Sequence, residues 1–202
     1  MATRTCLVSG LSGLGFYELR IIGGEFRGRK LLSVRGAHTR PTADRIREAI
    51  FNILSSRVCG AVVLDLFAGT GALGLEALSR GAQSAFFIET HKDTLSVLKR
   101  NILACHVEGQ ATVVQWNIVK NLNCIRSIDP AFHLVFMDPP YNTHFVEPTL
   151  SNLHDSCCLN TNARVVIEHS PLEALPEGSG PFELLDQRNY GKTLVSFLGY
   201  ML

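Results

Sequence analysis

From Ala61 onward the apolar positions fall in short blocks alternating with longer stretches of helical spacing, and this rhythm predicts β and α segments in turn. Val62-Val63-Leu64-Asp65-Leu66, Ala85 to Glu89, Ala111 to Gln115, His133 to Met137 and Arg164 to Glu168 read as strands, most of them too apolar to alternate. Such runs suit strands buried on both faces. Ala72 to Arg80, ended by Gly81, Lys92 to Cys105 and Phe145 to Leu153 read as the intervening helices. Phe182 to Asp186 and Lys192 to Tyr200, after a Pro/Gly loop from Ala174 to Pro181, read as a closing hairpin. The expected architecture is α/β: three layers, with a mostly parallel seven-stranded sheet ending in an antiparallel hairpin.

Upstream the pattern differs. Glu18 to Leu32 alternates apolar and polar residues around Gly23-Gly24 and Gly28, which predicts two short strands joined by turns. Thr39 to Leu54 turns helical, with Pro41 and Thr42 as entry signals and Ile46, Ile50, Ile53 and Leu54 as the apolar stripe. Residues 1–18, interrupted by Gly10, Gly13 and Gly15, read as a disordered extension and not a signal peptide. The expected division is therefore an extension over 1–18, a basic docking segment over 19–56 and a catalytic domain over 57–202.

Composition adds little until it is localised. The net charge is +1, yet Arg20, Arg27, Arg29, Lys30, Arg35, Arg40, Arg45 and Arg47 face only Glu25 and Asp44 in the same stretch. A basic segment on a near-neutral chain points to a polyanion, with Arg20, Arg27, Arg29, Lys30, Arg40, Arg45 and Arg47 as candidate phosphate contacts. The alternative for the helix arginines is a solvated face. Six cysteines lack metal or disulfide spacing, and the histidines show no ligand pattern, so a reduced cytoplasm and a metal-free site are expected. No stretch is long and apolar enough to span a bilayer.

Two loop tips carry the chemistry. Asp138-Pro139-Pro140-Tyr141 follows a strand, at the sheet edge where ligands of open α/β sheets collect. The prolines fix two φ angles and remove two amide donors, so a carboxylate, rigid carbonyls and an aromatic ring face one point. An exocyclic amine of a nucleobase needs that set: acceptors for its N–H groups and a ring to stack on. The earlier turn, Asp65-Leu66-Phe67-Ala68-Gly69-Thr70-Gly71, continues to Gly74 and fits a dinucleotide fingerprint, with Glu89 about 20 residues further on. A nicotinamide oxidoreductase is thus a rival. Asp65 beside the turn suits a cationic cofactor better than a pyrophosphate, and S-adenosylmethionine carries a sulfonium and an ammonium. Glu89 is then placed for the ribose hydroxyls and Asn117 for the adenine edge, although a loop-capping role also explains Asn117.

With Arg20 to Gly24 (RIIGG), Gly28 to Leu31 (GRKL), Arg40 to Glu48 (RPTADRIRE), Asp65 to Gly81 (DLFAGTGALGLEALSRG) and the DPPY tetrapeptide in this order, the chain resembles the bacterial 16S ribosomal RNA guanine-N2 methyltransferases of the RsmD type, within the Rossmann-like S-adenosylmethionine-dependent methyltransferases. The resemblance implies cofactor contacts at Asp65, Phe67, Ala68, Gly69, Thr70, Gly71, Glu89 and Asn117, and an amine site at Asp138, Pro139, Pro140 and Tyr141. It also implies that the basic segment docks on 16S ribosomal RNA or the small subunit; a monomer is expected. Residues 1–18 precede the family's usual start. The competing expectations are an adenine-N6 nucleic-acid methyltransferase, which would use the same tetrapeptide, and an RNA-binding assembly factor without catalysis.

Overall fold

The computed structural model describes residues 19–33, 41–126, 128–129, 131–173, 175 and 180–202. Helix α1 (Pro41–Leu54) precedes β1 (Val62–Leu66), α2 (Ala72–Ser79), β2 (Ser84–Glu89), α3 (Lys92–Cys105), β3 (Ala111–Gln115), β4 (Phe132–Met137), α4 (Val146–Asp155), β5 (Leu159–His169), β6 (Phe182–Tyr190) and β7 (Thr193–Tyr200). The strands form one seven-stranded sheet in the order β3-β2-β1-β4-β5-β7-β6. The first five are parallel; β7 runs antiparallel to both β5 and β6. After β3 the chain returns to lay β4 on the other side of β1. The strand order therefore reverses between β1 and β4, and a crevice opens at their carboxyl ends.

Residue alternation sorts the two faces. Val63, Phe87, Leu134, Phe136 and Val166 pack with α1, α2 and α3. Val62, Leu64, Ile88, Val135, Met137, Val165 and Ile167 pack with α4. Every residue of β1 is buried, Asp65 included, as a central parallel strand demands.

The N-terminal segment is not separate from this core. Leu19, Ile21, Leu31, Ile46, Ile50, Phe51 and Leu54 belong to the same apolar cluster as β1 and β2. The expected pair of short strands reduces to one antiparallel bridge, Arg20 to Lys30, because the intervening residues spend their hydrogen bonds on turns and on α2. Glu76 of α2, wholly buried, accepts from the backbone N–H groups of Ile22 (2.7 Å) and Gly23 (2.8 Å). Asn101 of α3 donates to the carbonyls of both Leu32 and Thr70, tying this arm to the glycine turn.

Helix α1 also turns differently from its expected stripe. Ile53 is 40% exposed, and Phe51 takes its place in the core, 5.4 Å from the Phe136 ring. Arg47 lies one turn before Phe51 and shares that inner edge. It is 5% exposed and bonds Asp44 (3.0 Å) and the Arg20 carbonyl (2.7 Å), with Glu76 3.7 Å away. The expectation of a phosphate contact at Arg47 therefore fails. Its guanidinium faces inward to neutralise Glu76.

Strand β5 begins earlier than its apolar run, at Leu159, through a bulged pairing with Phe132. The five described cysteines are free thiols, and no helix among the described residues is long and apolar enough to cross a membrane.

Candidate active site

Register builds the site. Leu66 pairs with Met137, and Met137 pairs with Ile167, so Phe67, Asp138 and Glu168 leave three neighbouring strands side by side at one edge. Adjacent strands lie about 4.8 Å apart, which brings these side chains within reach of one small ligand. They line a cavity of about 1000 Å3 together with Gly69, Glu89, Asn117, Pro139, Pro140, Tyr141 and Phe145. The two loop tips singled out in the sequence thus meet at a common cavity.

The glycine turn is held from behind. The Gly74 N–H donates to Asp65 Oδ2 (2.9 Å), and a Cβ at Gly74 would stand 2.3 Å from the Phe87 ring. Only glycine lets α2 approach the sheet this closely. Gly69 and Gly71 have φ of +56° and +80°, and Gly71 starts α2. Phe67 shares the left-handed region at +58°, an uncommon conformation for an aromatic residue, and its ring stacks on Phe145 at 6.3 Å. Of the expected cofactor contacts, Phe67, Gly69, Glu89 and Asn117 line the cavity. Asp65, Ala68, Thr70 and Gly71 shape the turn behind it: Ala68 donates to the Ile88 carbonyl and Gly71 to the Ala68 carbonyl.

Glu89 is largely spent on backbone. Its Oε2 accepts from Gly69 N–H (3.0 Å), and its Oε1 from Thr90 (2.7 Å) and His91 (2.9 Å). A carboxylate has about four acceptor sites, so some capacity remains toward the cavity. Asn117 Oδ1 accepts from Lys120 N–H (3.2 Å), the loop cap that was its alternative role, while its side chain still borders the cavity.

The tetrapeptide presents Asp138 into the cavity. Burial, then the neighbouring Glu168 and Asp65, hold its carboxyl well above the usual carboxylate range. Asp65 is pushed up to about 8, first by burial and also by Glu89, against the opposing pull of the Gly74 N–H. Carboxyl groups gathered at one sheet edge and partly shielded from water resist simultaneous ionisation. Tyr141 is 40% exposed, but its hydroxyl is fixed by Thr193 Oγ1 (2.8 Å) and Glu168 Oε1 (3.3 Å), and burial pushes it up to about 12. Its ring edge is anchored and the rest of the ring borders the cavity.

Glu168 and Thr193 were not foreseen as site residues. Their signal is the pairing of β5 with β4 and with β7, which one sequence does not display. Among the basic residues, Arg20, Arg27, Lys30 and Arg45 are exposed, Arg29 is half-buried with its guanidinium over Phe26 and bonded to the Ala104 carbonyl, and Arg40 lies outside the described residues.

The family model described as Conserved hypothetical protein 95 matches residues 19–199. Ribosomal RNA small subunit methyltransferase D of Escherichia coli (strain K12) is 40% identical over 165 residues, covering 82% of this chain and 80% of that protein. The protein of the same name in Haemophilus influenzae is 39% identical over 153 residues, 75% of this chain and 78% of that one. The solved structure of yhhF from Escherichia coli matches with a TM-score of 0.79 at 34% identity, over 91% of this chain and 98% of that chain. A solved structure from Haemophilus influenzae matches with a TM-score of 0.74 at 30% identity, over 92% and 99%. With five parallel strands, the antiparallel closing pair and the DPPY edge in place, the chain has the Rossmann-like fold of S-adenosylmethionine-dependent methyltransferases and belongs to the RsmD-type family described as Conserved hypothetical protein 95.

Proposed function

We propose that this protein methylates the exocyclic N2 of one guanine in 16S ribosomal RNA, with S-adenosylmethionine as donor. One observation carries the reading: the strand register sets Asp138 and Tyr141 on the same cavity as the glycine turn. The relatives named as small-subunit ribosomal RNA methyltransferases supply the substrate class.

The residues fit a cationic cofactor. Glu89, Asp138 and Glu168 line the cavity and Asp65 lies behind it, and the pKa values of Asp65 and Asp138 are raised by burial first and then by neighbouring carboxyl groups, a repulsion that a positive group would relieve. A pyrophosphate would be repelled by the same carboxylates, which disfavours the nicotinamide reading. Gly69 and Glu89 would hold the nucleoside side of the cofactor, and Asn117 would border its base. When bound, S-adenosylmethionine supplies an electrophilic methyl group on sulfur.

The chain's own contribution is placement and charge. Asp138 accepts an N–H of the target amine and turns its lone pair toward the donor, and positioning of this kind can lower a barrier by roughly 7–11 kcal/mol. The nitrogen gains positive charge as it gains carbon, and the adjacent carboxylate stabilises that charge. A proton then leaves the nitrogen, and Asp138, with its raised affinity for protons, can take it on a carboxylate oxygen. Tyr141 and Phe145 offer ring surface to a base withdrawn from its stack, offsetting an unstacking cost of a few kcal/mol.

The test is nucleoside mass spectrometry of small-subunit RNA from cells with and without the gene, complemented by wild type or Asp138→Ala. Loss of one N2-methylguanosine, restored by wild type alone, supports the reading. Loss of N6-methyladenosine would replace it with the adenine alternative, and an unchanged nucleoside profile alongside retained RNA binding would leave a non-catalytic assembly factor.

A further inference from the structure

We infer that Glu168 is a specificity-determining residue, which together with Asp138 forms a double acceptor for the Watson–Crick edge of guanine. The inference rests on the guanine-N2 reading and deepens it by naming what rejects other bases.

Guanine presents two adjacent donors on that edge, N1–H and the N2 amine. Adenine presents an amine beside an N1 that is an acceptor. One carboxylate that grips an amine cannot tell these apart, whereas a second carboxylate beside the first can. The structure provides it: Met137 pairs with Ile167, so residues 138 and 168 leave neighbouring parallel strands in register. Both side chains fall on the sheet face of Phe136 and Val166, and both line the cavity.

Glu168 is held in place for such a role. Its Oε1 accepts from the Tyr141 hydroxyl (3.3 Å), while Oε2 has no hydrogen-bond partner among the described residues. Burial raises its proton affinity above the usual carboxylate range, while the Tyr141 phenol and then Arg47 pull the other way. The second oxygen is therefore a fixed acceptor beside Asp138, placed to meet a guanine N1–H and to oppose the lone pair of an unprotonated N1.

The probe is 2-aminopurine, which keeps the N2 amine but has an N1 acceptor. Small subunits are reconstituted with guanine or 2-aminopurine at the methylated position, and kcat/KM is measured for wild type, Glu168→Gln and Thr193→Val. Wild type is expected to prefer guanine by about 100-fold or more, because an unmatched polar contact in a site built to hydrogen-bond its substrate is heavily discriminated. In Glu168→Gln, Tyr141 retains the side-chain oxygen and turns the amide N–H2 toward the base, so the preference falls below about 5-fold or inverts. Thr193→Val loosens Tyr141 without changing the acceptor pair, and both substrates should slow alike. An unchanged preference in Glu168→Gln, including failure of both proteins on 2-aminopurine, overturns the inference while leaving guanine-N2 transfer standing. If wild type does not methylate guanine either, the parent reading falls as well.

Discussion

Glu76 gives the fold its most exposed test, because one buried carboxylate holds three things at once. It accepts from the backbone of Ile22 and Gly23, from Arg80 Nε at 2.7 Å, and it lies 3.7 Å from Arg47 Nε. Glu76→Ala leaves Arg47 with Asp44 as its remaining ion-pair partner among the described residues, and stranding a buried charge costs about 3–5 kcal/mol. The two backbone N–H groups lose their acceptor as well, at about 1–3 kcal/mol each if they stay buried, but the arm can swing toward water and recover part of that. A net loss of about 4 kcal/mol is expected, which for a chain of this size lowers Tm by about 8–16 °C. Urea unfolding and amide hydrogen exchange read it out, with the Ile22 and Gly23 amides exchanging faster under native conditions. Glu76→Gln keeps an acceptor but not the charge and should lose about half as much. Combining it with Arg47→Met removes both charges and should regain stability over Glu76→Gln alone. A loss below about 1 kcal/mol for Glu76→Ala, or a double variant weaker than the single, would refute the claim that this pair anchors the arm.

Two further outcomes follow from the charges. Asp65, raised to about 8 in the folded protein and ordinary when unfolded, binds a proton preferentially in the native state. Its contribution to stability is therefore complete at low pH and is lost as pH rises through about 8. Asp65→Asn, which keeps an oxygen for the Gly74 N–H, should flatten the fall in urea midpoint between about pH 4 and 8; an unchanged slope contradicts the assignment. On the basic arm, Arg27→Ala should reduce the slope of log affinity for small-subunit RNA against log salt by about one, measured by fluorescence anisotropy, whereas Arg47→Met should leave that slope alone. Equal effects from the two would mean that the buried guanidinium reaches RNA.

What was legible in the sequence was local. Lys92–Cys105, Val62–Leu66 and Ala111–Gln115 were bounded correctly because their ends are marked nearby, by the polar run before the helix and by the apolar runs themselves. The two site loops were legible because each is a contiguous string whose backbone demands are written in glycine and proline. What was hidden depends on partners distant in the chain. The start of β5 is set by Phe132, the inward turn of Arg47 by Glu76, and the placement of Glu168 by the register with β4. Helical spacing alone allows Ile53 or Phe51 to complete the α1 stripe, and the Phe136 ring decides it. The position of Asp65 beside the turn predicts a cofactor contact, whereas its Oδ2 accepts from the Gly74 N–H behind the cavity.

The same alternation that builds the sheet concentrates its carboxylates. Asp65, Glu89, Asp138 and Glu168 all fall on the face that carries Phe87, Phe136 and Val166, near the carboxyl ends of their strands. Apolar residues there would be more stable, since desolvation and mutual repulsion both work against the charges. The cationic donor of the proposed function would offset that excess acid. Arg47 supplies a fixed counter-charge that acts on Glu168, and it is set by α1 and Glu76, the elements that also seat the basic arm. Asn101 completes the connection by holding Leu32 of the arm and Thr70 of the turn through one amide nitrogen. On the proposed function, a phosphate held by the arm would be referenced to the glycine turn through these hydrogen bonds. The distance between an RNA backbone docked there and Asp138 would then be a property of the fold, which is what the proposed selection of one amine among many in a large RNA requires.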